Sequence, residues 1–167
     1  MKTKEYNKPE ELDIRPVIEQ DMSTLLSLIE ELAVYEKLAD QVVNNETALR
    51  KILFGKKVYV EAEIAYWKGE PVGMVLFFHN YSTFLGQQGL YIEDLFVKEE
   101  YRGKGIGKAL LLECVRLAKE RGCGRVEWVT LHWNPARKFF EKMGAYPMSD
   151  WVNYRLDRKA INKLLPD

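Results

Sequence analysis

The sequence predicts an α/β fold in which a mixed central sheet carries helices on both faces. The apolar period switches repeatedly between the two of a strand and the 3.6 of a helix, giving the order strand, two helices, three strands, helix, strand, helix, strand and a closing helix. No repeat, linker or low-complexity tract interrupts this alternation, which layers helices on a sheet instead of bundling them apart. A chain of 167 residues has room for one compact core, so a single domain over 1–167 is expected.

Leu12-Asp13-Ile14-Arg15 alternates as a short strand and stops at Pro16, which has no N–H for a ladder. From Asp21, residues Leu25, Leu28, Ile29 and Leu32 recur at helical spacing, with Asp21 and Ser23 as candidate caps and an end near Tyr35-Glu36. A second helix is expected from about Asn45 to Phe54, capped by Asn44 or Asn45 and ended by Gly55. Strands then run from Val58 to Tyr66 and Val72 to His79 around the turn-rich Trp67–Pro71, and from Leu90 to Val97 after the turn Gly86–Gly89. A long helix spans Ile106–Arg121, with Leu110, Cys114 and Leu117 on one face and Gly122 past its end. Arg125–Leu131 reads as a strand, Asn134 and Pro135 open a short helix that Gly144 stops, Trp151–Leu156 is the last strand, and a polar helix closes the chain.

Composition narrows the function. Lys plus Arg and Asp plus Glu number 25 each, so no basic excess exists to neutralise a nucleic-acid backbone, and no nucleic-acid partner is expected. The longest strongly apolar run, Val72–Phe78, is far too short to cross a bilayer, and the polar start M-K-T-K-E-Y-N-K lacks a signal core; a cytoplasmic protein with no membrane partner is predicted. Cys114 and Cys123 read as packing residues, and His79 and His132 lack co-ligands at metal spacing, so no metal is expected.

The chemistry is concentrated in Tyr91-Ile92-Glu93-Asp94-Leu95-Phe96-Val97 and the loop Arg102-Gly103-Lys104-Gly105-Ile106-Gly107-Lys108. Alternate glycines between a strand and a helix turn successive N–H groups toward one point, where the helix dipole also favours an anion. With Arg102, Lys104 and Lys108 beside it, the loop suits a pyrophosphate better than a merely flexible turn would. It lacks the Walker spacing and the third glycine of a dinucleotide fingerprint. Two adjacent acids, Glu93 and Asp94, interrupt an otherwise apolar strand, so at least one faces a covered side of the sheet and needs a cation, hydrogen bonds or a functional role.

The loop R-G-K-G-I-G resembles the acetyl-CoA loop of the GNAT superfamily of N-acetyltransferases, and the element order matches over nearly the whole chain. I-R-P (14–16), E-L-A-V-Y-E (31–36), Y-I-E-D-L-F-V (91–97) and W-N-P (133–135) are similar to the diamine acetyltransferases that modify spermidine, spermine or thialysine. The resemblance implies a mostly antiparallel sheet with a splayed strand pair and a bulge near Glu93-Asp94. It implies that Leu95, Phe96 and Val97 bind the pantetheine arm and Arg102, Gly103, Lys104, Gly105, Ile106, Gly107 and Lys108 the pyrophosphate. Asn134, Phe139, Phe140 and Lys142 would meet the rest of the cofactor, and Tyr35, Glu36, Glu93 and Asp94 the amine. It also implies a homodimer.

Acetyl transfer needs a neutral amine, whereas an alkylamine with a pKa near 10.4 is protonated at neutral pH, so a base is required, and Glu93 is the candidate. The family's thiolate-protonating tyrosine sits in a motif like F-Y-x-x-x-G. Here Phe139-Phe140-Glu141-Lys142-Met143-Gly144 puts Phe140 at that position, so that Tyr146, Tyr154 or water substitutes as the acid, the thiolate leaves unassisted, or the protein is a slow or degenerate member. The expected function is acetyl-CoA-dependent acetylation of a small polyamine, diamine or amino-acid-like amine. The alternatives are a protein or antibiotic amine as acceptor, and a slow or non-catalytic CoA-binding regulatory module.

Overall fold

The computed structural model describes residues 8–166, and the chain divides between Val129 and Thr130 into two compact units. The first unit holds β1 (Leu12–Pro16), α1 (Met22–Tyr35), α2 (Glu46–Phe54), β2 (Glu61–Trp67), β3 (Glu70–Ser82), β4 (Gln87–Val97), α3 (Ile106–Glu120) and β5 (Val126–Glu127). Its strands form one sheet in the order β1-β2-β3-β4-β5. Every neighbouring pair is antiparallel except β4 and β5, which α3 joins as a parallel crossover.

Alternating side chains give the sheet two apolar faces. Met22, Leu25 and Leu28 of α1 and Leu49 and Leu53 of α2 pack on Ala62, Ile64, Met74, Leu76 and Phe96. The opposite face, with Val75, Phe77 and Ile92, lies under α3, which contacts β3 and β4 and buries Ile106, Leu110, Leu111 and Cys114. Cys114 is wholly buried there, and burial pushes its thiol up to about 12, as suits a packing residue.

Local chemistry sets the ends of these elements. Asn45 caps α2 by accepting from the Ala48 N–H at 2.9 Å. Gly122, at φ +67°, ends α3 while the Cys123 N–H donates to the Ala118 carbonyl. Lys68 and Gly69, both with positive φ, make a two-residue hairpin between β2 and β3, so Glu70 and Pro71 already belong to β3 instead of to a longer turn. Asp21 is not a side-chain cap: its carboxylate accepts two hydrogen bonds from Arg15, at 2.7 and 3.0 Å, and one from the Ile18 N–H at 2.9 Å. Ser23 lies inside α1.

The strand expected over Arg125–Leu131 is only Val126–Glu127. Its ladder consists of Leu90↔Val126 and Tyr91↔Glu127 and stops where β4 bulges.

The second unit contains α4 (Ala136–Lys142) and α5 (Arg158–Leu164). The Asn134 side chain accepts from the Ala136 N–H at 2.9 Å as α4 begins, and Gly144, at φ +95°, follows its end. Asp157 caps α5 through the Ala160 N–H. The strand expected over Trp151–Leu156 does not form. An extended segment becomes a strand only by pairing, and none of the described residues forms a ladder with it. Among the described residues no helix is long and apolar enough to cross a membrane.

Candidate active site

The site is built on an irregularity of β4. Leu76 pairs with Asp94 and Phe77 with Ile92, so Glu93 is an extra residue with no partner in β3. In a regular strand Glu93 and Asp94 would point to opposite faces; a bulge sets two residues against one and re-aims them. By register Asp94 shares the face of Leu76, the side covered by α1 and α2. Burial, then the charge of Glu93, then that of Glu36 push the Asp94 carboxyl up to about 6. Glu36, just past the end of α1, is itself raised by burial. The bulge and the end of α1 thus bring three carboxylates into one electrostatic neighbourhood. No group of three or more His, Cys, Asp or Glu among the described residues is arranged to hold a metal.

The β4–β5 ladder also ends at the bulge. After Tyr91↔Glu127 no residue of β5 pairs with β4, so the β5-facing edge of Glu93–Val97 has no strand partner among the described residues. The β4–β5 ladder thus ends after two pairs, at the place where the family resemblance implies a splayed strand pair.

Beyond β4, Gly103 and Gly105 take φ values of +78° and +85°, a region costly for residues with a Cβ. Gly105 is the N-cap of α3, whose first turn contains no acidic side chain. The loop therefore delivers amides and the positive end of the helix dipole to one place. The Arg102 guanidinium lies 4.3 Å from the Tyr35 ring centre, and its Nε donates to the Val97 carbonyl at 3.0 Å. Lys98 pairs with Glu31 at 3.0 Å. These contacts tie the loop and the end of β4 to α1 and so to Glu36.

The structure thus brings the charges of Glu36 and Glu93 to bear on Asp94, sets Arg102 between Tyr35 and the Val97 carbonyl, and has Leu95–Val97 on the open edge and Gly105–Lys108 at the head of α3. Asn134, Phe139, Phe140, Lys142, Tyr146 and Tyr154 belong to the second unit. There Phe139 and Phe140 are ring neighbours at 5.4 Å, while Tyr146 and Tyr154 are 78% and 90% exposed. Sequence reasoning missed Tyr91 and Phe78. Their ring centres lie 5.0 Å apart, and burial, then Glu93, then Glu127 raise the Tyr91 phenol. Because Tyr91 and Asp94 are three apart, only the bulge puts them on one face, and the alternating pattern gives no sign of that.

Acids beside an open strand edge, near a helix start whose first turn carries no acidic side chain, suit a cationic amine and a phosphate-bearing donor. The sequence matches the acetyltransferase (GNAT) family over residues 25–145. The chain belongs to that family. It is an N-acetyltransferase, and the cosubstrate of the GNAT fold is acetyl-CoA. It is 37% identical over 163 residues to the thialysine N-epsilon-acetyltransferase of Bos taurus, covering 90% of this chain and 95% of that one. An L-ornithine N5-acetyltransferase of Arabidopsis thaliana is 47% identical over 93 residues, 55% of this chain and 41% of the relative. An integron cassette protein from the mobile metagenome of V. cholerae superposes with a TM-score of 0.79 at 25% identity, covering 95% of this chain and all of the other.

Proposed function

We propose that this GNAT enzyme acetylates the side-chain amine of a small, amino-acid-like or diamine substrate, of the kind its thialysine- and ornithine-acetylating relatives are named for. The observation that carries this reading is the meeting of Glu36, Glu93 and Asp94 at the bulge, with burial and mutual repulsion raising Asp94. Three carboxylates attract an ammonium group, and the Phe78–Tyr91 ring pair offers its hydrocarbon chain an apolar wall.

The residues fit coenzyme A. In the open edge of β4, Leu95, Phe96 and Val97 would hold the pantetheine arm by main-chain groups, and Gly103–Lys108 would hold the pyrophosphate by amides, with Lys104 and Lys108 adding charge. Arg102, occupied by Val97 and Tyr35, positions the amine site more than it clamps phosphate. When bound, acetyl-CoA supplies an acetyl group activated as a thioester.

Proton removal falls to the acids of the bulge. Glu93, exposed, draws in the ammonium, and Glu93 or Asp94 accepts its proton directly or through water. Asp94, raised to about 6, is the better-matched acceptor near neutral pH. The Leu95 amide, on the edge of β4 without a strand partner, would donate toward the acetyl carbonyl oxygen. Phe140 has no hydroxyl, so the departing thiolate draws a proton from Tyr146, Tyr154 or water, or leaves without one; a thiol of Cys-like acidity is a tolerable leaving group.

Asn134, Phe139, Phe140 and Lys142 are assigned to the remainder of the cofactor, and the two units are assigned to one acetyltransferase domain. We also assign the protein to the cytoplasm and to a homodimer. The exposed Trp151, Val152, Tyr154 and Leu156 support the dimer as a surface suited to burial against another chain, which sedimentation at micromolar concentration tests.

A thiol-release assay with acetyl-CoA and thialysine, ornithine, lysine, putrescine, spermidine and an aminoglycoside tests the function. Turnover with the amino-acid-like amines supports it. Preference for spermidine moves the assignment to polyamines, and CoA binding without thiol release under any amine identifies a regulatory module.

A further inference from the structure

A cavity lies where the start of β2 faces the last turns of α3, and Phe77, the β3 residue beside the β4 bulge, forms part of its wall. Its volume is about 240 Å³, and it is lined by Leu53, Val60, Phe77 and Leu117 together with Glu63. Leu117 is eleven residues beyond Ile106 in α3, so the cavity is roughly 16 Å along the helix from the glycine loop.

Glu63 is the anomaly. It is only 6% exposed, and its Oε2 is buried with no hydrogen-bond partner. The cations of the cavity wall are engaged elsewhere. Arg121 donates to both oxygens of Glu61, at 2.5 and 2.7 Å, and Arg116 is held by Glu113 and Glu120. A carboxylate enclosed in this way is costly unless a donor reaches it, and unpartnered buried polar atoms are rare in native proteins.

The geometry points to a second, non-substrate binding site here, in which Glu63 takes the ammonium of a short-chain aliphatic amine whose hydrocarbon lies against Leu53, Val60 and Phe77. The cavity is smaller than the roughly 300 Å³ at which drug-sized pockets begin, which restricts the ligand to a compact one. The donor supplies the missing hydrogen bonds, and the ligand's chain removes apolar surface from water.

The test is titration of the full-length protein with n-butylammonium at about pH 8, above the value of about 7 to which burial, the largest cause, raises Glu63. Methyl NMR reads Leu53, Val60 and Leu117 directly. Acetyl transfer plays no part in this readout, so its failure and that of the proposed function are separable. Saturable shifts at these methyls, with affinity falling at least about tenfold in Glu63→Gln, support the site. Val60→Phe, which fills the cavity and keeps the carboxylate, should abolish them and decides the matter if Glu63→Gln does not fold. Unmoved cavity methyls in the wild type, or shifts undiminished in either variant, overturn it.

Discussion

Replacing Asp94 with asparagine removes one carboxylate from a place where three meet, and it should make the enzyme more stable and less active at once. Burial raises the Asp94 carboxyl most, followed by Glu93 and Glu36, from 3.8 to about 6. The sign follows from linkage. A folded-state value above the unfolded one means that the native state favours the protonated acid, so stability is lost as pH climbs from about 4 through about 6 and stays lost above. At about 1.4 kcal/mol per tenfold in the equilibrium, that rise corresponds to at most about 3 kcal/mol. An asparagine side chain at this position has nearly the same shape and no charge to bury. Urea unfolding should therefore show Asp94→Asn more stable than wild type by up to about 3 kcal/mol near pH 8, with the advantage shrinking toward about pH 4. Thiol release should fall by about 10²–10⁴ if Asp94 takes the proton, and the acid limb of wild-type kcat/KM should bend near pH 6. A stability difference that is the same at both pH values would refute the claim that the fold holds this carboxyl against burial and two like charges. Near-normal turnover in the variant would remove Asp94 as proton acceptor and return the role to Glu93, for which Glu93→Gln is the matching loss.

The remaining predictions concern other parts of the chain. Gly105→Ala forces a side chain into φ +85° at the head of α3; it should cost about 1–2 kcal/mol in thermal unfolding and weaken CoA binding by calorimetry, and an unchanged dissociation constant would exclude the loop from cofactor binding. Phe140→Tyr restores the hydroxyl absent from the F-F-E-K-M-G segment; a large rise in kcat identifies a missing acid, and no change identifies a substitute. Asp21→Asn breaks the pair with Arg15, whose hydrogen bond is the main reason that Asp21 is held below its ordinary value. A depressed acid stabilises above its unfolded pKa, so the variant should lose about 1–3 kcal/mol near neutral pH; the difference from wild type should begin to shrink below about pH 4 and vanish only once the pH falls through the lower folded-state value, where both forms carry an uncharged side chain.

Much of the fold was legible because its signals are local. Asn45 at a helix start and Gly122 past a helix end act through their own turns, and the Gly103–Gly105 spacing before Ile106 announces a left-handed loop leading into a helix start. Asp21 shows the limit of that reasoning. Its position proposed a cap, but Arg15 and Tyr66 converge on it from two strands, and their hydrogen bonds took its side chain. Trp151–Leu156 has the alternation of a strand but pairs with no strand among the described residues, because pairing is a property of two segments and pattern is a property of one.

By itself, then, the order of residues determined the α/β alternation, the glycine loop and the two adjacent acids of Tyr91–Val97. The family resemblance implies a bulge near Glu93-Asp94 and a splayed pair; only the tertiary structure decided that Glu93 itself would be the extra residue of β4, that Asp94 would lie within reach of the Glu36 charge some sixty residues away in the chain, and that the β4–β5 ladder would end after Tyr91. Register and electrostatic proximity depend on which strands and helix ends the fold brings together, and neither is encoded in the spacing of any single segment.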